Sequence, residues 1–155
     1  MRIIATIENE TIIELGDGSV TYRAKFAVDT DGSGPLHGDP DAQADTSLHF
    51  EGKPLNADID RYIAVPPAIV QGVKAVVLGC QAHAINLRTG LSSDCVVGDI
   101  GPHKKLGEGS VALATALGIN PSPTIGGEDQ HVVHYSLKPG RAASVNGKTY
   151  SLQAS

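Results

Sequence analysis

Apolar and polar positions alternate with the two-residue period of a β-strand along much of the chain. The pattern is clearest over 19–28, where Val20, Tyr22, Ala24, Phe26 and Val28 share one face. Thr21, Arg23 and Lys25 take the other, so this strand is expected to be half-buried. Two earlier strands are predicted over 2–8 and 11–15, with Gly16-Asp17-Gly18 as the hairpin turn before the third. A short strand over 46–50 is followed by a loop from Gly52 to Asp58. Next comes a strand over 61–66, stopped by Pro66-Pro67. A long β run covers 74–87, turns at Thr89-Gly90 and returns over 91–99. Closing strands are predicted over 131–137 and 144–152, with Pro139-Gly140 and Asn146-Gly147 as turns. One segment only, 108–117, reads as a helix, ended by Gly118 with Pro121 just beyond.

No repeat, low-complexity tract or linker interrupts this order, so the 155 residues are expected to form one mainly β domain. A hydrophobic content of 41% supports a folded core, and 18 glycines with 9 prolines fit many turns. The net charge of -5 argues against a nucleic-acid partner, whose phosphates need a basic face, and suits a cationic one. No apolar run is long enough to span a membrane. The opening Met1-Arg2-Ile3-Ile4-Ala5 lacks the pattern of a secretory signal. A secreted or extracellular protein is expected, as a trimmed form or one released by lysis. Cys80 and Cys95 do not make a disulfide framework; they pair or remain buried thiols.

The candidate chemistry centres on Gly98-Asp99-Ile100-Gly101-Pro102 and Gly107-Glu108-Gly109-Ser110. Asp99 closes an apolar strand, and Glu108 is expected in the first turn of the following helix. Two carboxyls held in different environments suit glycoside hydrolysis, which needs one acid and one base. Desolvation would keep Asp99 neutral, and the helix dipole would keep Glu108 ionised. The roles could be exchanged.

From Phe26 to Gly52 the chain carries Asp29, Asp31, Asp39, Asp41, Asp45 and Glu51 but no lysine or arginine. These acids either form a solvated loop or line a groove for a polycation. Asp29-Thr30-Asp31-Gly32-Ser33-Gly34 resembles a calcium loop only in part, since the third acid and closing glutamate are missing. His131 and His134, like Cys80 and His83, are three apart and point to opposite strand faces, so no metal site and no cofactor is expected. His103 lies between the two acids and is a candidate for substrate contact. There is no supported Ser-His-Asp motif and no phosphate loop.

On these residues the sequence resembles the chitosanases of glycoside hydrolase family 75. Asp29-Thr30-Asp31-Gly32-Ser33, with Asp39-Pro40-Asp41 and Thr46-Ser47, carries the first block of the likeness. Leu55-Asn56-Ala57 with Tyr62-Ile63-Ala64-Val65-Pro66 carries the second, and the two-acid stretch the third. Tyr135 to Gly140 resembles the family's closing strand and turn. The resemblance implies an endo-acting, inverting hydrolase of the β-1,4 links of chitosan, with Asp99 and Glu108 as the catalytic pair. It implies a double-psi β-barrel-like core with one short helix after the catalytic loop. The single catalytic domain 1–155 would then divide into N-terminal strands (1–28), an acidic loop region (29–52) and the barrel core (53–155).

Asp29, Asp31 and Asp39 are expected to bind the amino groups of a cationic polysaccharide, with Thr46, Tyr62, His103 and Ser110 as further cleft candidates. The protein is expected to act as a monomer. Two alternatives carry their own signatures. A peptidoglycan-cleaving barrel enzyme would need Asp99 alone and would release anhydro-sugar ends. A non-catalytic glycan-binding or structural module would bind without turnover.

Overall fold

A computed structural model describes residues 1–153. Its strands are β1 (Arg2–Ile7), β2 (Glu10–Glu14), β3 (Val20–Asp29), β4 (His49–Phe50), β5 (Lys53–Pro54) and β6 (Tyr62–Val65). Helix α1 (Pro67–Gly72) leads to β7 (Cys80–Asn86), β8 (Ser92–Ile100) and β9 (Glu108–Ser110). Helix α2 (Val111–Ala116), β10 (Glu128–Ala142), β11 (Ser144–Val145) and β12 (Lys148–Thr149) follow.

The mainly β fold expected from the sequence is present as a closed six-stranded barrel. Around it run β3, β10, β7, β8, β6 and β9, and β9 pairs back onto β3. The β6–β8 and β3–β9 pairs are parallel; the other barrel pairs are antiparallel. Closure removes the free edges that an open sheet would expose. The β1–β2 hairpin extends the sheet beyond β3.

The alternation read along 19–28 is realised: Val20, Tyr22, Ala24 and Phe26 are buried in the barrel with Ile63, Val65, Val97, Val133 and Tyr135. Tyr22 and Tyr135 stack there with ring centroids 5.0 Å apart, and the Tyr135 hydroxyl donates to the Lys25 carbonyl at 2.8 Å. Cys80 and Cys95 belong to this core as free thiols. A second apolar cluster lies on the barrel's outside, where Leu48 and Leu55 pack with Tyr62, Val96, Val145 and Tyr150. Buried Asp60 anchors it by accepting from Lys148 Nζ and the Tyr150 hydroxyl, both at 2.6 Å.

Several expectations change, among them Pro139-Gly140, expected as a turn but contained within β10. The run predicted over 74–87 becomes strand only from Cys80, and helix α1 precedes it. Pro67 does not merely end β6: with its fixed φ and missing N–H it fits the first helical position. Among the described residues two short helices are therefore present rather than one. The helix predicted from residue 108 begins at Val111, because Ser110 is its N-cap and Glu108 to Ser110 pair as a strand.

Candidate active site

One row of residues crosses four adjacent strands. Ala27 on β3 pairs with Glu108 on β9, Glu108 with Ala64 on β6, and Ala64 with Asp99 on β8. Paired residues on neighbouring strands share a face, so both acids project from the same side with the small Ala64 between them. Two strand spacings put their Cα atoms roughly 9.5 Å apart.

Asp99 reaches this face through an irregularity. Ile63 pairs with Val97, but Ala64 pairs with Asp99, so Gly98 is the extra residue of a β-bulge. Val97 faces the core, and strict alternation would turn Asp99 inward after it. The bulge reverses that orientation. Glycine is required, since a Cβ at 98 would lie 2.7 Å from both Leu55 Cδ1 and Tyr62 Cβ.

Glu108 is set by its neighbours. Gly107 has φ +86°, and a Cβ there would come within 2.1 Å of the Lys25 carbonyl oxygen. The Gly107 carbonyl accepts from Ala27 N–H at 2.8 Å, locking β9 beside β3. The expected helix-dipole support for Glu108 is absent, because it lies in a strand ahead of the cap. Burial instead raises its pKa, offset by Lys105 and Lys25 and reinforced by Asp99 and Glu8.

A cavity of about 620 Å³ opens over this row. Asp29, Asp31, Asp39, Asp41, Asp99, Glu108 and Asp129 line it, with Lys25 and Lys105 as the cationic side chains. Lys25 is already paired with Glu8, Nζ to Oε1 at 2.6 Å. The cavity wall is therefore dominated by carboxyls; of the acids in the segment from Phe26 to Gly52, Asp29, Asp31, Asp39 and Asp41 line it and Asp45 and Glu51 do not.

Asp29, Asp31 and Asp99 converge, with one oxygen of each within 4.8 Å of the others. By distance and by their hard oxygen donors these three could hold a divalent cation or a proton between them. Asp29 is pushed up to about 7, first by burial, then by the charges of Asp31, Asp99 and Glu108, against a lowering hydrogen bond from Asp31 N–H. Asp31 is pushed up to about 6 by burial and by a hydrogen bond with Asp99, against the Gln43 N–H that donates to it. Asp99, the third carboxyl of the cluster, takes part in the interaction that raises Asp31. Asp99 Oδ1 accepts from Ser47 Oγ at 2.8 Å, Ser47 N at 3.0 Å and Ile100 N at 3.0 Å.

The remaining sequence candidates separate. Asp39 lines the cavity and accepts from Thr30 Oγ1 at 2.9 Å. Tyr62 is buried, but its hydroxyl donates to the Asp31 carbonyl at 2.8 Å and lies 3.3 Å from Asp29 Oδ1. It therefore supports the acids from beneath. Thr46 is buried and spent on backbone: its Oγ1 donates to the Leu48 carbonyl and accepts from Leu55 N–H. Ser110 is fully buried, and its Oγ accepts from Tyr62 N at 3.1 Å and Leu113 N at 3.2 Å. Neither hydroxyl is a cleft group: Thr46 ties its own loop to Leu55, and Ser110 ties β9 to β6 and caps α2. His103 is exposed and lies outside the set of cavity-lining residues.

Sequence reading did not single out Ser47, Gln43, Lys25, Lys105 or Asp129 as site residues. The polar face of 19–28 carried the only signal for Lys25, and the position of Asp129 depends on β10 folding back onto β3. No protein-family model matches the chain, and no curated protein matches its sequence.

Proposed function

We propose that this protein is an endo-acting glycoside hydrolase of a cationic β-1,4-linked amino-sugar polymer, chitosan being the substrate class that fits. The observation that carries the reading is the four-strand row holding Asp99 and Glu108 on one face, inside a cavity lined mainly by carboxyls. A backbone spacing of roughly 9.5 Å leaves room for a water between the two carboxyls. Inverting hydrolases use about 6.5–9.5 Å between the carboxyl groups, against about 5–5.5 Å for retaining ones.

The local environments support roles opposite to those expected from the sequence. Glu108 is half-buried in a strand and its raised pKa suits a proton donor to the glycosidic oxygen. Asp99 receives hydrogen bonds from Ser47 and Ile100, which orient it as the acceptor that draws a proton from water. Water then attacks the anomeric carbon from the face opposite the leaving oxygen and inverts that centre. Asp31, Asp39 and Asp41 supply negative charge along the groove for protonated amino groups, an attraction that salt would weaken.

The test is incubation with highly deacetylated chitosan and, in parallel, peptidoglycan. The reading expects new reducing ends from chitosan, with the α-anomer formed first. Anhydro-sugar ends from peptidoglycan would instead support single-acid chemistry. Binding to either polymer with no new ends would support a non-catalytic module.

A further inference from the structure

We propose that Ser47 is a positioning residue for Asp99, holding its carboxyl in the orientation that the reaction needs; the catalytic part of this inference rests on the function proposed above. Asp99 follows the bulge at Gly98, which sets the face its side chain takes but not the rotation of its carboxyl group. Ser47 comes from 52 residues earlier and meets it with two donors, Oγ at 2.8 Å and N at 3.0 Å, both on Oδ1. Ile100 N–H donates to the same oxygen at 3.0 Å and lies 3.3 Å from Ser47 Oγ, so hydroxyl, amide and carboxylate form one closed set. Saturating Oδ1 in this way leaves Oδ2 as the oxygen available for chemistry.

Ser47 is itself held firmly although it is exposed. On one side, buried Thr46 is bonded through Oγ1 to Leu48 and Leu55. On the other, Leu48 N–H donates to the Gly98 carbonyl at 3.0 Å. Gly98 is the bulge residue that aims Asp99, so the loop grips the strand at the very point where Asp99 leaves it. The same loop carries Asp31, Asp39 and Asp41, which joins the groove's acidic wall to the orientation of Asp99.

The test compares Ser47→Ala with Ser47→Thr. Alanine removes the hydroxyl but keeps the backbone N–H bond, and threonine keeps both. On chitosan, Ser47→Ala is expected to lose on the order of ten- to a hundredfold in kcat, as for a hydrogen bond to a charged group, with KM little changed. Ser47→Thr should restore most of it. The independent readout is carbon-detected NMR of the Asp99 carboxyl, whose resonance should move in Ser47→Ala and return in Ser47→Thr. An unmoved Asp99 resonance overturns the proposal whatever the activity. So does a kcat loss explained by an equal loss of folded protein, or a change confined to KM. A moved resonance in a protein inactive on chitosan would uphold the positioning by Ser47 and refute the proposed function.

Discussion

Replacing Asp29 by asparagine should stabilise the protein, and only above mildly acidic pH. Burial and three neighbouring carboxyls push Asp29 from its ordinary 3.8 to about 7 in the folded protein. The folded state therefore keeps a proton that the unfolded chain releases between those values, and stability falls as pH rises through that window. At about 1.4 kcal/mol per pH unit, the loss above pH 7 reaches about 4 kcal/mol if the neighbours do not rearrange. Asparagine never ionises, and its Oδ1 can still accept from Asp31 N–H and stay near the Tyr62 hydroxyl. Wild type and Asp29→Asn should thus melt together near pH 4. The variant should gain steadily to pH 7 and hold a plateau above it. In a chain of this length 1 kcal/mol corresponds to about 2–4 °C, so the plateau approaches about 10 °C in Tm. Differential scanning calorimetry from pH 4 to 8 decides the matter. A difference independent of pH, or a less stable variant at pH 8, would refute the account of Asp29 as a buried acid crowded by like charges.

Two further substitutions test the scaffold. Gly98→Ala drives a methyl into Leu55 and Tyr62 at 2.7 Å, and overpacking of this kind costs about 1–3 kcal/mol. Thermal melts should show the loss, and a variant as stable as wild type would deny the bulge. Ser110→Ala removes the cap of α2 and strands the buried Tyr62 N–H, a loss of about 2 kcal/mol or more. Ser110→Thr, which keeps the hydroxyl, should lose less in denaturant titration; equal losses would show that the hydroxyl is not what matters.

Much of the fold was legible because alternation is a local signal: the strand over 19–28 and its core face could be read directly. The two acids were legible for a related reason, since glycines and a proline beside carboxyls mark a constrained loop. What escaped depended on pairing between distant segments. The bulge at Gly98 exists only in relation to β6, so the sequence could show Asp99 at a strand end but not which way it pointed. Glu108 looked like a helix-start acid because Ser110 caps so close behind it; its pairing with Ala27 and Ala64 makes it a strand residue instead. The hydroxyls of Thr46 and Ser110 were indistinguishable from cleft groups by residue type, and only the backbone partners they meet show that they are spent. Helix α1 is six residues long, too short for its period to stand out beside Pro66-Pro67.

The most direct test of the central claim is reducing-end release from highly deacetylated chitosan by wild type, Glu108→Gln and Asp99→Asn, each shown to be folded. The account predicts turnover by wild type and a loss of about a hundredfold or more in each variant, the scale of general acid–base catalysis. Wild-type rates in either variant, or intact polymer after incubation with folded wild type, would contradict it.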